Sequence, residues 1–292
     1  MFSIIIPLYN KADYIAETLN SVLNQTFTDY EVIVVNDSST DNSLEVVSGF
    51  HDERIRVYTK KNEGVSAARN YGIMLAKYDY IAFLDADDRW DADYLECQRK
   101  LIDTYPNAGI YSTAFYSVEK EKKKPRNILM NEHIHFLIDD YFKQSIMNGL
   151  SICWTSSLCL KKKIIKQMPM FRVGIKRGED LDVWLRIALN YDIAYLNLPK
   201  VFYRTGMSDS LSVDYSQEGE FPYYEWLDYQ SPSPYYKKYV ILAIYIHAKS
   251  AFIHHDYNTC LAELWSIKTM VWRFKWMKRL LLLVISWIKS KQ

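Results

Sequence analysis

The chain has 292 residues, of which 49% are hydrophobic and 15% aromatic, and this composition excludes an intrinsically disordered protein. Its net charge is +1, from 36 basic and 35 acidic residues, so no overall field recruits a nucleic acid. The four cysteines show neither a C-x-x-C spacing nor a metal-ligand pattern, which is typical of reduced, buried thiols. No signal peptide pattern opens the chain and no run reaches the ~20 apolar residues of a membrane span, so we expect a cytoplasmic protein.

The first 110 residues alternate short β-rich runs with helical patterns. Strands are predicted at 2–7, 30–35, 55–58 and 80–84, and helices after Asn10, after Asp41 and at 65–76. This alternation predicts a parallel sheet with crossover helices. Every turn from a strand to a helix carries polar residues, and the carboxyl ends of parallel strands are where open sheets bind ligands.

The pattern becomes less regular beyond Ala108. We predict strands at 110–118, 154–160 and 193–198, a helix at 181–188, a charged loop at 119–126, and helices from about Pro222 onwards. These elements indicate two domains. The first, 1–215, has a nucleotide-binding half at 1–107 and an acceptor half at 108–215, and the second, 216–292, is a helical C-terminal region.

Asp85-Ala86-Asp87-Asp88 closes the apolar run 80–84 and concentrates three carboxylates in four residues. In a strand, residues i and i+2 point to the same face, so Asp85 and Asp87 can converge while Ala86 leaves room. Clustered carboxylates need a cation among them, and a divalent metal with oxygen ligands is the usual one. The alternative is a polar turn in which Asp88 begins the next helix at 88–91.

Four separated motifs agree with a ligand site at this sheet edge. They are Ile4-Ile5-Ile6-Pro7-Leu8-Tyr9-Asn10, Val34-Val35-Asn36-Asp37-Ser38-Ser39-Thr40-Asp41, Gly64-Val65-Ser66-Ala67-Ala68-Arg69-Asn70 and Asp85-Ala86-Asp87-Asp88. In this order and spacing, the chain over residues 1 to about 210 closely resembles the family 2 glycosyltransferases, which are inverting enzymes. The resemblance implies an α/β fold of the GT-A type, a Rossmann-like, mainly parallel sheet with flanking helices, here followed by a C-terminal helical extension.

The resemblance also implies how a UDP-sugar donor is bound. Pro7 and Tyr9 frame the base, and Asp37 accepts the uracil imide N–H, a role that suits an acceptor-only carboxylate. The other donor-side residues are Arg69 near the diphosphate, Asp85, which reaches the ribose or a metal-bound water, with Ala86 beside it, and Asp87, which holds Mn²⁺ or Mg²⁺ against both phosphates. Two alternatives stay open: Asp37 could form a turn or helix cap, and Arg69 a surface ion pair with Glu63 or Asp88.

Gly178-Glu179-Asp180-Leu181-Asp182-Val183-Trp184 resembles the Glu-Asp motif of the same family and implies the acceptor side. Asp180 is then the general base that takes the proton of the acceptor hydroxyl, and Glu179 orients the acceptor or shares that role. The alternative is an acidic cluster that only complements the dipole at the start of a helix.

Two departures from the family pattern narrow the function. Tyr203-Arg204-Thr205-Gly206 has a glycine where the family often has a histidine, so metal binding would rest on Asp87, phosphates and water. The chain also lacks a Gln-x-x-Arg-Trp motif, which argues against processive synthesis. The leading hypothesis is therefore transfer of one hexose or N-acetylhexosamine in bacterial surface polysaccharide assembly. A nucleotidyltransferase and a non-catalytic scaffold that binds nucleotide-sugars are the alternatives.

The segment 271–292 differs in composition from the rest of the chain. It contains six basic residues and no acidic one, interleaved with tryptophan, phenylalanine and the apolar run 280–285. This pattern favours a helix lying at the inner face of the cell membrane, with a lipid-linked glycan as the acceptor. The alternative is a helix that docks on the catalytic domain or on a second copy of the chain.

Overall fold

The computed structural model describes residues 1–175, 177–206, 223–254 and 256–267, together with positions 282 and 286. The chain divides into two compact units. The first contains Met1–Asp139 and Ile152–Val213, and the second contains Asp140–Ser151 and Asp214–Gln292. The division of the sequence at 107 and 215 stays a prediction.

The first part of the chain forms the alternating strands and helices that the sequence predicts. The elements are β1 (Phe2–Leu8), α1 (Ile15–Leu23), β2 (Tyr30–Asn36), α2 (Ser43–Ser48), β3 (Ile55–Thr59), α3 (Val65–Leu75) and β4 (Tyr80–Phe83). The four strands pair in parallel in the order β3-β2-β1-β4. β1 and β2 are rich in isoleucine and valine and are buried along almost their whole length, as expected for strands covered on both faces.

The elements that follow extend this sheet. They are β5 (Arg89–Trp90), α4 (Tyr94–Thr104), β6 (Ile110–Glu119), β7 (Lys122–Arg126), β8 (His135–Leu137), α5 (Tyr141–Met147, in the second unit), β9 (Leu158–Lys161), α6 (Lys162–Lys166), α7 (Glu179–Ala188) and β10 (Ile193–Arg204). The strand order continues β4-β9-β6-β10-β5. β9 runs antiparallel to both of its neighbours, whereas β6 and β10 are parallel, so the sheet is mixed beyond β4.

Two local predictions are wrong. The charged loop predicted at 119–126 is a hairpin, because β7 pairs antiparallel with β6 from Glu119↔Lys122 to Phe115↔Arg126. Its side chains are charged because β7 is exposed along its whole length, and lysine and proline are common on exposed strands. The alternative interpretation, in which a helix begins at 88–91, is also wrong, because the helix starts at Tyr94 and β5 pairs with β10.

The second unit is helical, as predicted. A 3₁₀ turn at Tyr223–Asp228 packs with α8 (Tyr236–Ile253) and with α9 (Tyr257–Ser266), and α5 packs with α8. Trp226 is fully buried in this unit and stacks on Tyr239, with ring centroids 5.9 Å apart. The basic segment 271–292 lies outside the described residues, apart from two isolated positions. Within the described parts of the chain, each helix is too short or too polar to cross a bilayer.

Candidate active site

A cleft of about 880 Å³ opens in the first unit where β1, β2 and β4 end. The amino ends of α3 and α7 form another part of its wall. The cleft brings together every site residue that the sequence analysis proposes: Pro7, Tyr9, Asp37, Arg69, Asp85, Ala86, Asp87, Glu179 and Asp180. Carboxyl ends of parallel strands meeting helix amino ends favour anionic ligands, because the free backbone N–H groups there point outward.

Asp85 and Asp87 lie in the loop after β4, and each is paired with a cation. Arg69 Nη2 lies 2.8 Å from Asp85 Oδ1, and Lys11 Nζ lies 3.2 Å from Asp87 Oδ2. Burial raises the pKa of Asp87 above its usual range, and the charge of Asp85 raises it further, although Lys11 opposes both effects. Because Arg69 also pairs with Glu179, two cations face the three carboxylates of Asp85, Asp87 and Glu179, which leaves this loop able to accept a further positive charge.

Asp88 does not begin a helix, as the alternative interpretation proposed, but is buried and hydrogen-bonded in the loop after β4. It is 1% exposed, accepts a hydrogen bond from Ser156 Oγ at 2.6 Å, and accepts a second from the backbone N–H of Arg204 at 3.0 Å. Burial raises its pKa well above the usual range, and Asp87 and Asp85 add to the shift. Thr18 Oγ1 donates to the carbonyls of Ala86 and Asp88. These contacts hold the loop that carries Asp85 and Asp87.

Arg69 joins the loop after β4 to the amino end of α7. It is 4% exposed, and its Nη1 lies 2.8 Å from Glu179 Oε1 while Nη2 contacts Asp85. The ring of Phe171 lies 5.3 Å from the guanidinium carbon. Burial acts to lower the pKa of Arg69, but the two carboxylates outweigh it and raise that pKa. The partners are Asp85 and Glu179, so the alternative of a surface pair with Glu63 or Asp88 is wrong.

Two glycines with positive φ begin the helices that carry these groups. Gly64 precedes α3 with φ of 89°, and Gly178 precedes α7 with φ of 81°. A side chain at either position would be strained in this region of backbone conformation. The turns direct Arg69 from one helix and Glu179 and Asp180 from the other into the same cleft.

Glu179 and Asp180 are neighbours in sequence but differ in environment. Glu179 is 7% exposed, and burial raises its pKa to about 7, with Asp180 adding to the shift and Arg69 opposing it. Asp180 accepts hydrogen bonds from Thr155 Oγ1 at 3.0 Å and from the N–H of Leu181 at 2.7 Å. Asp180 is therefore oriented by neutral donors, whereas Glu179 is committed to an ion pair.

Asp37 is buried at the end of β2 and accepts three hydrogen bonds. Its donors are Lys60 Nζ at 2.9 Å and the backbone N–H groups of Glu63 at 3.1 Å and Gly64 at 2.7 Å. A carboxylate has about four lone-pair positions, so one remains for a ligand donor. The carboxylate thus closes the turn before α3 and still lines the cleft.

Several residues in the cleft were not predicted from the sequence. Lys11 follows directly after the Tyr9-Asn10 motif, yet its ion pair with Asp87 depends on a contact across 76 residues. Trp154 and Tyr203 both line the cleft, and their ring centroids are 4.4 Å apart. Trp154 carries no motif, and the motif that contains Tyr203 does not show that its ring reaches the cleft, because both positions depend on how β9 and β10 pair with the rest of the sheet.

No group of three or more histidine, cysteine, aspartate or glutamate side chains is arranged to hold a metal among the described residues. Asp85 and Asp87 nevertheless offer hard oxygen ligands, which is the donor type that Mn²⁺ and Mg²⁺ take in sites completed by phosphates and water. The residues present fit a metal of that kind held together with a ligand's phosphates.

A comparison with protein families decides the classification. The model of the family described as Glycosyl transferase family 2 matches residues 3–168, more than half of the chain. The chain belongs to glycosyl transferase family 2. The match contains the three motifs that end β1, β2 and β4 and the motif that begins α3, so the predicted family is confirmed.

Two curated relatives place the chain within this family. A Bacillus subtilis (strain 168) protein, provisionally named teichuronic acid biosynthesis glycosyltransferase TuaG, is 32% identical over 215 residues, which are 73% of this chain and 77% of that protein. A Rickettsia felis protein named only as an uncharacterised glycosyltransferase is 37% identical over 187 residues, 64% of this chain. The chain spans only 30% of the length of that second relative.

A solved structure supports the fold. The crystal structure of residues 1–349 of S. aureus TarS in complex with UDP-GlcNAc matches with a TM-score of 0.64 over 92% of this chain and 72% of that chain, at 20% identity. This likeness confirms the predicted α/β fold of the GT-A type with C-terminal helices.

Proposed function

We propose that this member of family 2 transfers one sugar from a UDP-sugar to a hydroxyl group of a glycan acceptor, with inversion at the anomeric carbon. The observation that carries the proposal is the cleft itself. One end holds Arg69, Asp85 and Asp87, a set suited to a diphosphate and a divalent cation, and Asp180 lies on a different element of the same cleft. Separate donor-binding and base carboxylates are what a single displacement requires.

The proposed chemistry is one step. Asp180 accepts the proton of the acceptor hydroxyl while the hydroxyl oxygen forms a bond to the anomeric carbon. The bond from that carbon to the phosphate oxygen breaks on the opposite side, and UDP leaves with the electron pair. Arg69 stabilises the charge that develops on the diphosphate, and its pair with Glu179 links the donor and acceptor sides.

A divalent cation, Mn²⁺ or Mg²⁺, would be held by Asp87 together with the donor phosphates, and it would supply charge neutralisation for the departing diphosphate. The chain's own contribution is the cluster of carboxylates in the loop after β4, which is braced by Ser156 and Thr18. The raised pKa of Asp87 is consistent with a site that gains from a positive charge.

The nature of the donor and the biological setting are proposals as well. TarS was solved with UDP-GlcNAc and with UDP, which supports a uridine nucleotide-sugar as the donor. The relative named for teichuronic acid biosynthesis supports a role in bacterial polysaccharide assembly. We place the protein in the cytoplasm, at the inner face of the membrane, where it would use a glycan or lipid-linked glycan acceptor.

The test is a panel of UDP-sugars whose slow hydrolysis is measured as UDP release by the intact chain in the presence of Mn²⁺. A matched variant is Asp180→Asn, which keeps the shape of the side chain. We expect the donor's dissociation constant to stay within about twofold, while kcat for hydrolysis falls by about 10²–10⁴ because general-base help to the attacking water is lost.

Two outcomes contradict the proposal. If UDP and every UDP-sugar fail to bind, the donor assignment is wrong. If UDP-sugars bind but none is hydrolysed or transferred, the chain is a nucleotide-sugar-binding scaffold. A collapse of donor affinity in Asp180→Asn would instead move Asp180 from the acceptor side to the donor side.

A further inference from the structure

A second cavity, of about 260 Å³, lies in the first unit and shares one lining residue, Arg204, with the cleft. Arg204 contacts the loop that carries the proposed metal ligand, because its Nε donates to the carbonyl of Asp87 at 3.2 Å. The cavity is lined by Glu17, Arg89, Val118, Lys120, Glu121, Lys123, Phe202 and Arg204. None of these residues is needed for the donor chemistry proposed above.

The pairing of four neighbouring strands builds the cavity. Phe202 of β10 pairs with Arg89 of β5 on one side and with Tyr116 of β6 on the other. Val118 of β6 pairs with Arg204 of β10 and with Lys123 of β7. Side chains of paired residues point to the same face of a sheet, so the register itself brings cations from three strands together.

The lining has an excess of positive charge, with four cationic side chains against the carboxylates of Glu17 and Glu121. Glu17 lies 3.0 Å from Arg89 Nε and 2.6 Å from Arg204 Nη2, and it thereby holds the two guanidinium groups side by side. Within the part of the chain that the structure describes, no ion pair joins Lys120 or Lys123 to a carboxylate. Their charge is therefore available to a ligand.

The ring of Phe202 is the apolar part of the cavity lining, and two of the cations lie close to it. The Arg89 guanidinium lies 4.2 Å and Lys123 Nζ 4.7 Å from the centre of its ring, and Tyr116 stacks on it with ring centroids 5.4 Å apart. Glu17 already lies beside Arg89, so the charge near this ring that has no carboxylate partner among the described residues is that of Lys123, and an anion bound beside Lys123 would reduce its repulsion with Arg89. The space is large enough for an anionic group and several waters of ~30 Å³ each.

Protection of an exposed strand explains only part of this arrangement. Lysines along β7 discourage pairing with another chain, and Lys122, Lys123 and Lys124 all serve that purpose equally. That purpose does not require Arg89 and Arg204 on two other strands to converge on the Lys123 face of the sheet. The convergence indicates a binding site rather than edge protection alone.

We propose that this cavity binds an anionic group carried by the acceptor, either a phosphate ester or a sugar carboxylate. The inference rests on the proposed function. Because the donor diphosphate is assigned to Arg69 and Asp87 inside the cleft, an anion in the neighbouring cavity, which Arg204 joins to the Asp87 loop, belongs to the acceptor. A guanidinium pair with adjacent lysines suits both anions, since each presents two or more oxygens to planar donors. The acceptor is therefore a charged glycan, and a neutral glycan lacks the group that this cavity recognises.

The test measures binding of small probes to the intact chain saturated with UDP and Mn²⁺, which keeps the probes out of the cleft. The probes are glycerol 3-phosphate, methyl glucuronoside and, as a neutral control, methyl glucoside, each titrated by calorimetry or by protein NMR. We expect the anionic probes to bind and the neutral one not to. In Lys123→Glu the affinity for the anionic probes should fall about tenfold or more, as a charged hydrogen bond becomes a repulsion.

Lys124→Glu is the matched control, because it makes the same charge change on the same strand but Lys124 lines neither cavity. This variant should bind the probes within about twofold of the unchanged chain. A preference for glycerol 3-phosphate supports a phosphate-bearing acceptor, and a preference for the glucuronoside supports a uronate-bearing one. Equal losses in the two variants, or no binding of either anion to the unchanged chain, would overturn the inference.

Failure of this inference is separable from failure of the proposed function. Binding of UDP to the unchanged chain is measured first, and its absence counts against the donor assignment alone. If UDP binds and the anionic probes do not, the donor assignment stands and the cavity is not an acceptor site. The melting temperatures of the two lysine variants should agree within a few degrees, which excludes unfolding as the cause of a loss.

Discussion

The ion pair between Lys11 and Asp87 lies where the proposed function needs a metal. Because Lys11 opposes the rise that burial and Asp85 cause in the pKa of Asp87, and contacts its Oδ2 at 3.2 Å, the lysine and a divalent cation compete for one carboxylate. Removal of Lys11 also removes a repulsive positive charge from the metal's surroundings. The strength of metal binding should therefore be limited by this lysine.

We predict that Lys11→Met binds Mn²⁺ more tightly than the unchanged chain by about fivefold, which corresponds to about 1 kcal/mol for a partly buried ion pair. Mn²⁺ binding is followed by electron paramagnetic resonance with UDP present. Lys61→Met is the control, since Lys61 is exposed and does not line the cleft. Asp87→Asn should lose most of the Mn²⁺ affinity. Unchanged or weaker binding in Lys11→Met would show that the two cations do not compete.

Glu179 provides a prediction about pH. Its pKa rises from 4.5 to about 7 on folding, so the folded chain holds this proton more tightly than the unfolded chain does. A raised pKa contributes stability that is complete below pH 4.5 and is lost as pH rises to about 7. Relative to Glu179→Gln, the unfolding free energy of the unchanged chain should fall by as much as about 3 kcal/mol across this window.

Urea unfolding of both proteins between pH 4.5 and 8 tests this, because other titrating groups are common to the two chains and cancel in the difference. The difference in unfolding free energy between the unchanged chain and Glu179→Gln should no longer change with pH above about pH 7.5. A difference that grows as pH rises would mean that the pair with Arg69 keeps Glu179 ionised at low pH and that burial does not dominate.

The proposed site residues that belong to motifs line one cleft, but the sequence did not predict the residues that contact them. Asp85, Asp87, Arg69 and Asp180 stand at recognisable places after strands or at helix starts. Lys11, Ser156 and Thr155 carry no such signal, since each acts through a contact with a residue 25 or more positions away. Tertiary contacts of this kind depend on strand order and register, which local patterns do not specify.

At the scale of elements, local sequence patterns predicted the strands and helices of the first 85 residues to within a few positions, including the helix after Asp41. The two wrong interpretations, a loop at 119–126 and a helix start at 88–91, both concern short strands at the periphery of the sheet. An exposed strand of lysines has no apolar face, so its composition is that of a loop. Arg89–Trp90 is too short to show any period, and only the pairing with β10 makes it a strand.

The packing of α3 against β1 offers a prediction for an element. Gly72 of α3 faces Ile5 of β1, and a Cβ atom at Gly72 would lie 2.5 Å from Ile5 Cγ2. Gly72→Ala should destabilise the chain by about 1–3 kcal/mol, because overpacking outweighs the gain of ~1 kcal/mol in helix propensity. The measurement is urea unfolding, with Met74→Ala, a change at an exposed position of the same helix, as the control.

The helix also carries Arg69, so a shift of α3 away from β1 should reach the cleft. We expect Gly72→Ala to weaken UDP binding as well as stability, whereas Met74→Ala should change neither by more than a small amount. Equal or greater stability of Gly72→Ala would show that Ile5 and the helix can move apart freely.

At the scale of the whole molecule, the chain combines a nearly neutral composition with a basic end. Among residues 271–292 six are lysine or arginine and none is acidic, while tryptophan and leucine supply apolar surface. A helix of this composition can lie in the membrane interface with its lysines directed to anionic headgroups. Docking on the rest of the chain or on a second copy is the alternative, and that alternative predicts no dependence on lipid charge.

We predict that the intact chain floats with vesicles containing phosphatidylglycerol and does not float with vesicles of phosphatidylcholine alone. Each basic residue near an anionic surface contributes roughly 1 kcal/mol, so six are enough for reversible attachment that high salt releases.

A full-length variant with Lys275→Glu, Lys278→Glu and Arg279→Glu should stay in solution, as should a chain that ends at Thr269. Lys122→Glu, on the exposed strand β7, is the control and should float like the unchanged chain. Flotation of the triple variant with anionic vesicles would place the attachment elsewhere, and failure of the unchanged chain to float would leave the acceptor to be sought among water-soluble glycans.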